Sequence, residues 1–120
     1  MHEILKELEQ KEAEIAEMAN ILAADVKTAA AARAAYDLKY AKALLRESVA
    51  MGDDGKRRTV STIEAVAILS CEEEMLAARI AEADVEASKK QFDALRAILS
   101  SVQSRARLVE IEANLTKFKA

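Results

Sequence analysis

From His2 to Ala50 apolar residues recur mostly three or four positions apart: Ile4, Leu8, Ile15, Met18, Leu22, Val26, Ala29, Tyr36, Tyr40 and Ala43. That spacing is the helical period, and no glycine or proline interrupts it. The middle of the segment, 28–35, is almost pure alanine, the strongest helix former. The pattern predicts one helix over about 2–50. It resumes after Ser61 with Ile63, Val66, Leu69, Leu76, Ile80, Ala83, Ala87, Leu95, Ile98, Val102, Val109 and Leu115 as its inner face. This predicts a second helix over about 61–117. Apolar content falls at EASKK (86–90), which leaves a kink there open, although no breaker residue marks one.

Between the two segments stands MGDDGKRRTVST, which holds both glycines of the chain. Gly52 can end a helix with a left-handed backbone, and Asp53, Asp54 and Gly55 are turn residues. Ser61 and Glu64 have the spacing of a capping box, a helix start signal. The expectation is an all-α fold in one domain: an antiparallel helical hairpin of two long helices joined by a turn over about 51–60.

Charge supports the doubling back. Residues 1–25 hold seven acids and two bases, and residues 26–58 hold eight bases and four acids. Residues 59–87 hold seven acids and one base, and residues 88–120 hold seven bases and three acids. An antiparallel arrangement puts each acidic block beside a basic one. Exposed pairs contribute only about 0–1 kcal/mol each, so their use is to select the arrangement. The same blocks suit antiparallel neighbours in another copy.

Composition limits the core. Hydrophobic residues are 52% of the chain, but many are alanine and aromatics are only 3%. Alanine buries little apolar area, so a two-helix core is thin. Leu5, Ile21, Leu38, Leu45, Leu99 and Leu108 fall off the inner faces, and such a leftover stripe marks an interface. The expectation is self-association into a dimeric four-helix bundle or a higher oligomer.

The chemistry-bearing residues are few. Cys71 is the only cysteine and cannot make an internal disulfide. Three acids follow it directly, which disfavours an activated thiol and suggests a buried structural residue. Glu72, Glu73 and Glu74 point around a helix rather than at one ion, and read as a solvated face. His2 is the only histidine and lacks the partners of a zinc or di-iron helix. No phosphate-binding glycine loop is present. These readings predict no catalytic, cofactor-binding or metal residues, and no enzyme activity. With no apolar run of membrane length and no basic-then-apolar leader, the expected location is the cytoplasm.

One cluster could bind nucleic acid: Tyr36, Lys39, Tyr40, Lys42, Arg46, Lys56, Arg57 and Arg58. Single strands are held by cations for phosphates and rings for bases, and Tyr36 and Tyr40 share a helix face. The competing reading is that the tyrosines fill the hairpin seam while the cations pair with the acidic block 59–87. A second basic group, Gln103, Ser104, Arg105, Arg107, Lys117 and Lys119, reads as balance for the acidic N-terminal block.

The stretches ARAAYDLKYAKALLRES, TVSTIEAVAI and QSRARLVEIEANL, with the glycine turn between the first two, resemble small all-helical bacteriophage proteins encoded in recombination and replication gene clusters. The resemblance covers roughly residues 30–113 and brings no catalytic residues. It implies an accessory role around DNA recombination or replication. Joined to the residue readings above, the expectation is a non-enzymatic, oligomeric accessory in the host cell cytoplasm, touching single-stranded DNA or a recombination protein. The alternative expectation is a coiled-coil adaptor or inhibitor that binds only protein.

Overall fold

The computed structural model describes residues 2–50 and 55–119, with side chains through Lys117. Three helices follow one another: α1 (His2–Val49), α2 (Val60–Ser70) and α3 (Glu72–Lys119). The chain divides into two compact units, residues 1–24 with 86–120 and residues 25–85.

In the first unit, the residues of α1 withdrawn from solvent include Ile4, Leu8, Lys11, Ile15, Met18 and Leu22. Those of α3 are Ser88, Phe92, Leu95, Leu99, Val102, Ala106 and Val109. Both sets step by four and three alternately, the 3.5-residue repeat of a coiled-coil seam. Val102 is the most deeply buried, at 1% exposure. Arg105 donates to Glu7 at 2.8 Å, so the acidic and basic ends of the chain do meet.

The second unit holds Asp25, Ala29, Ala32, Tyr36, Tyr40, Ala43 and Glu47 of α1 in the same alternation, broken only where Tyr36 and Tyr40 make two steps of four in a row. Facing them are Ala67, Cys71, Glu74, Ala78, Ala81 and Val85. Ala43, Ala67 and Cys71 form its buried core, with Tyr36, Tyr40 and Leu44 packed against them. Two ion pairs fix the direction: Arg33 reaches Glu82 and Lys39 reaches Glu74. Rising along α1 therefore means descending α3, an antiparallel pairing.

Four sequence expectations need correction. The second helix is not one element, because it breaks at Cys71. In a continuous helix the Cys71 amide would donate to the Ala67 carbonyl. Instead the Ser70 hydroxyl donates to Ala67 at 2.8 Å, and the Cys71 amide turns to the Ile68 carbonyl at 3.1 Å. Such back-bonding by a serine hydroxyl slightly destabilises and often bends a helix. Glu72, Glu73 and Glu74 are therefore the first turn of α3, where negative charge complements the helix dipole.

The helix start also shifts. Thr59, not Ser61, caps α2: its Oγ1 accepts from the Thr62 amide at 3.3 Å, and the two threonine hydroxyls lie 2.9 Å apart. Ser61 lies inside α2, exposed. The inner face is misassigned over its middle, since Leu69, Leu76, Ile80, Ala83, Ala87 and Ile98 are exposed, as are Val26 and Leu115. Conversely Leu99, expected off the seam, is half-buried within it. The segment 86–90 lies within uninterrupted α3.

At the turn, Gly55 has φ of +76°, the left-handed region where glycine carries no steric penalty. The stop assigned to Gly52, and Asp53 and Asp54, lie outside the described residues. The Ala50 amide donates to Glu47 at 3.3 Å, and Arg58 pairs with Glu47 across the turn.

The cap assignment is testable by urea unfolding. Thr59→Ala should cost about 0.5–2 kcal/mol, the usual loss of an N-cap. Ser61→Ala, at an exposed helical position, should stay within about 0.5 kcal/mol. A larger loss at Ser61 than at Thr59 would contradict the observed start.

Candidate functional site

The eight residues singled out as a nucleic-acid contact all lie in the second unit, on α1 and on the segment before α2. The helical repeat brings Tyr36 and Tyr40 together, with ring centroids 5.8 Å apart and planes 12° from parallel. Both rings are half-buried against the Ala43, Ala67 and Cys71 core. The Arg33 guanidinium sits 5.4 Å from the Tyr36 centroid, a cation–π distance. A ring and a guanidinium thus already lie against Tyr36. The tyrosines serve as the bulk that fills the seam where the facing side offers mainly small residues, Ala67, Cys71 and Ala78.

Several of the cations are engaged with carboxylates. Lys39 donates to Glu74 Oε1 at 2.6 Å, Arg58 pairs with Glu47, and Arg46 lies 3.5 Å from Glu47. Lys42 and Arg57 are exposed and make no ion pair among the described residues, and Lys56 is exposed beside Gly55. The structure therefore gathers Tyr36, Lys39 and Tyr40 at the α1–α3 seam. Lys42 falls away from that seam, and Lys56 to Arg58 sit on the connection.

The seam position of Glu74 was not anticipated. Its Oε1 takes the lysine, while its Oε2 is buried without a hydrogen-bond partner. The hydrogen bond from Lys39, with a smaller contribution from a backbone amide, holds the Glu74 carboxyl below its usual 4.5. The same hydrogen bond raises Lys39 above its usual 10.5, burial opposing it. A carboxylate half inside a seam needs a fixed cation, because a buried charge left alone is costly.

One cleft opens in this unit, with a volume of about 190 Å³, lined by Arg33, Tyr36, Met75, Ala78, Arg79 and Glu82. Arg79 was absent from the sequence-based cluster; it is the one base in the acidic block 59–87, and that isolation is the signal that could have drawn attention to it. The cleft offers two guanidiniums, a carboxylate and an apolar floor. Among the described residues no group of three or more histidines, cysteines or acids could hold a metal ion. Nor is any described helix long and apolar enough to cross a membrane.

Compared with known proteins, the chain matches no family model, no curated protein and no solved structure.

The Lys39–Glu74 pair gives a pH signature. Glu74 contributes stability that is present above its unfolded pKa and lost as pH falls through its depressed folded value. Lys39 contributes stability that is present below its unfolded pKa and lost as pH rises through its raised value. The pair should thus be complete from about pH 4.5 to 10.5. Carboxyl NMR titration should find Glu74 below its usual 4.5, and Lys39→Met should move it upward. A Glu74 midpoint unchanged by Lys39→Met would remove the pairing.

Proposed function

We propose that the chain is a non-enzymatic coiled-coil interaction protein, which acts by offering helical surface to another protein. One observation carries this reading. The seam consumes one stripe of each helix, yet a second stripe of large apolar residues stays in solvent. In the second unit Leu38, Leu45, Leu69, Leu76 and Ile80 are between 55% and 71% exposed. Helices with apolar residues on two faces are surfaces for further helices. Both rings and Lys39 are spent on the seam, and Arg46 and Arg58 lie against Glu47, which supports the protein-binding reading over the DNA one.

The test is a photo-crosslinking amino acid placed at Leu38 or at Leu76 in the full chain, irradiated in producing cells. Protein adducts that survive nuclease are expected at both positions. Absence of protein adducts at both would overturn the reading.

A second reading, contact with single-stranded DNA as an accessory to recombination or replication, is favoured by the cleft alone, where Arg33 and Arg79 flank Tyr36. Charge with a ring is the chemistry such strands use. Binding would weaken steeply with salt. Anisotropy of a labelled single strand at low salt should then fall severalfold in affinity on Arg33→Gln with Arg79→Gln. A flat signal for the unaltered chain removes this reading.

A further inference from the structure

The exposed stripes of the second unit are ordered in a way that names their occupant. At about 100° per residue, Leu38 and Leu45 lie roughly half a turn from the seam residues Tyr36, Tyr40 and Ala43. With Ala31, Ala34 and Ala41 they form a second stripe on the outer edge of α1, all exposed. On the other helix pair Leu69, Leu76, Ile80 and Ala83 form the corresponding outer edge, also all exposed.

The two edges match each other step for step. Positions 31, 34, 38 and 45 climb α1 by three, four and seven. Positions 83, 80, 76 and 69 descend the α2–α3 side by three, four and seven. The existing seam follows the same rule, with 36, 40, 43 and 47 rising as 78, 74, 71 and 67 fall. The registers coincide as well: Leu38 lies two residues after Tyr36, and Leu76 two before Ala78. An α1 edge laid antiparallel on an α2–α3 edge in the seam's own register sets Leu38 level with Leu76, and Leu45 with Leu69. It also sets Ala34 level with Ile80.

Charge selects the same pairing. Lys27, Lys42 and Arg46 border the α1 edge, with Asp37 the one nearby acid. Glu72, Glu73 and Asp84 border the other edge, with Arg79 the one nearby base. Like edges repel and unlike edges attract, so α1 against α1 and α3 against α3 are both disfavoured.

We propose that the occupant is a second copy of this chain, joined edge to edge: the outer stripe of α1 in one copy packs on the outer stripe of α2–α3 in the next. This rests on the interaction-protein reading and makes it specific. The contact is heterologous, because each copy presents two different, complementary edges. Every copy then retains one free edge of each kind until a ring closes or the row ends.

The test uses the full chain and two variants, Leu38→Glu with Leu45→Glu, and Leu76→Glu with Ile80→Glu, measured by size exclusion with light scattering. The altered side chains are already exposed, and circular dichroism checks that helix content is kept. The unaltered chain should exceed the 13.1 kDa of one copy, increasingly with concentration. Each variant alone should be a monomer. Their equimolar mixture should give a one-to-one heterodimer, since one intact edge of each kind remains.

A monomeric unaltered chain at about 1 mM, the concentration at which an affinity of about −4 kcal/mol would show, overturns the proposal while leaving protein adducts at Leu38 or Leu76 to support a foreign partner. A variant that still dimerises alone, or a mixture that stays monomeric, overturns it too. Should a variant lose helix content, a Cys71→Ser background answers instead. Leu38→Cys mixed with Leu76→Cys should oxidise to the mixed 38–76 disulfide in excess over either like pair; a preference for like pairs overturns the proposal.

Discussion

The second unit depends on one constraint: two antiparallel helices must close on each other where one supplies rings and the other mostly small residues. Tyr36 and Tyr40 are large, and the residues level with them and next along the seam are Ala78, Glu74, Cys71 and Ala67. Large against small is what lets two helices approach while filling the space between them. The ion pairs at Lys39–Glu74 and Arg33–Glu82 sit on the flanks of this fit. Partly exposed pairs contribute about 0–1 kcal/mol each, so shape sets the register and charge guards it against alternatives.

This volume rule also explains what the sequence disclosed and what it concealed. The α1 helix, an antiparallel pairing and a turn near Gly55 were legible from uninterrupted periodicity, charge blocks and clustered turn residues. The left-handed backbone, however, was assigned to Gly52, and the blocks alone did not say whether the neighbour was the same chain. The face of α3 was not. From Leu69 to Ala83 the α2–α3 side carries two stripes at helical spacing, and the one with larger apolar residues looks like the core. It is the outer one. Apart from Glu74, the inner stripe facing the tyrosines is small (Ala67, Cys71, Ala78 and Ala81), and alanine, equally at home in either place, gives no periodic signal of its own.

Two further signals were present and misread. Ser70, Cys71 and three glutamates in succession are a hydroxyl that can break a helix followed by the acidic first turn of another. Taken singly, the glutamates looked like a solvated face, yet Glu74 enters the seam and meets Lys39. Likewise the threonine of Thr59–Thr62 competes with Ser61–Glu64 for the cap, and the spacing rule alone does not rank them. Of the candidate contact residues, the periodicity correctly put Tyr36 and Tyr40 on one face. It could not say that this face was already occupied.

The break at Cys71 has a consequence for how the molecule yields. Helix α2 is only 11 residues long and buries a single residue, Ala67. A helix that short is marginal in isolation, and alanine contributes little by burial. Because the Ser70 hydroxyl, not the Cys71 amide, holds the last Ala67 carbonyl, the backbone ladder does not run on from α2 into α3. Melting that starts at Thr59 can stop at Cys71, leaving the long helices intact. The segment is a fuse, and its amide protons should exchange with water ahead of those of the long helices beside it.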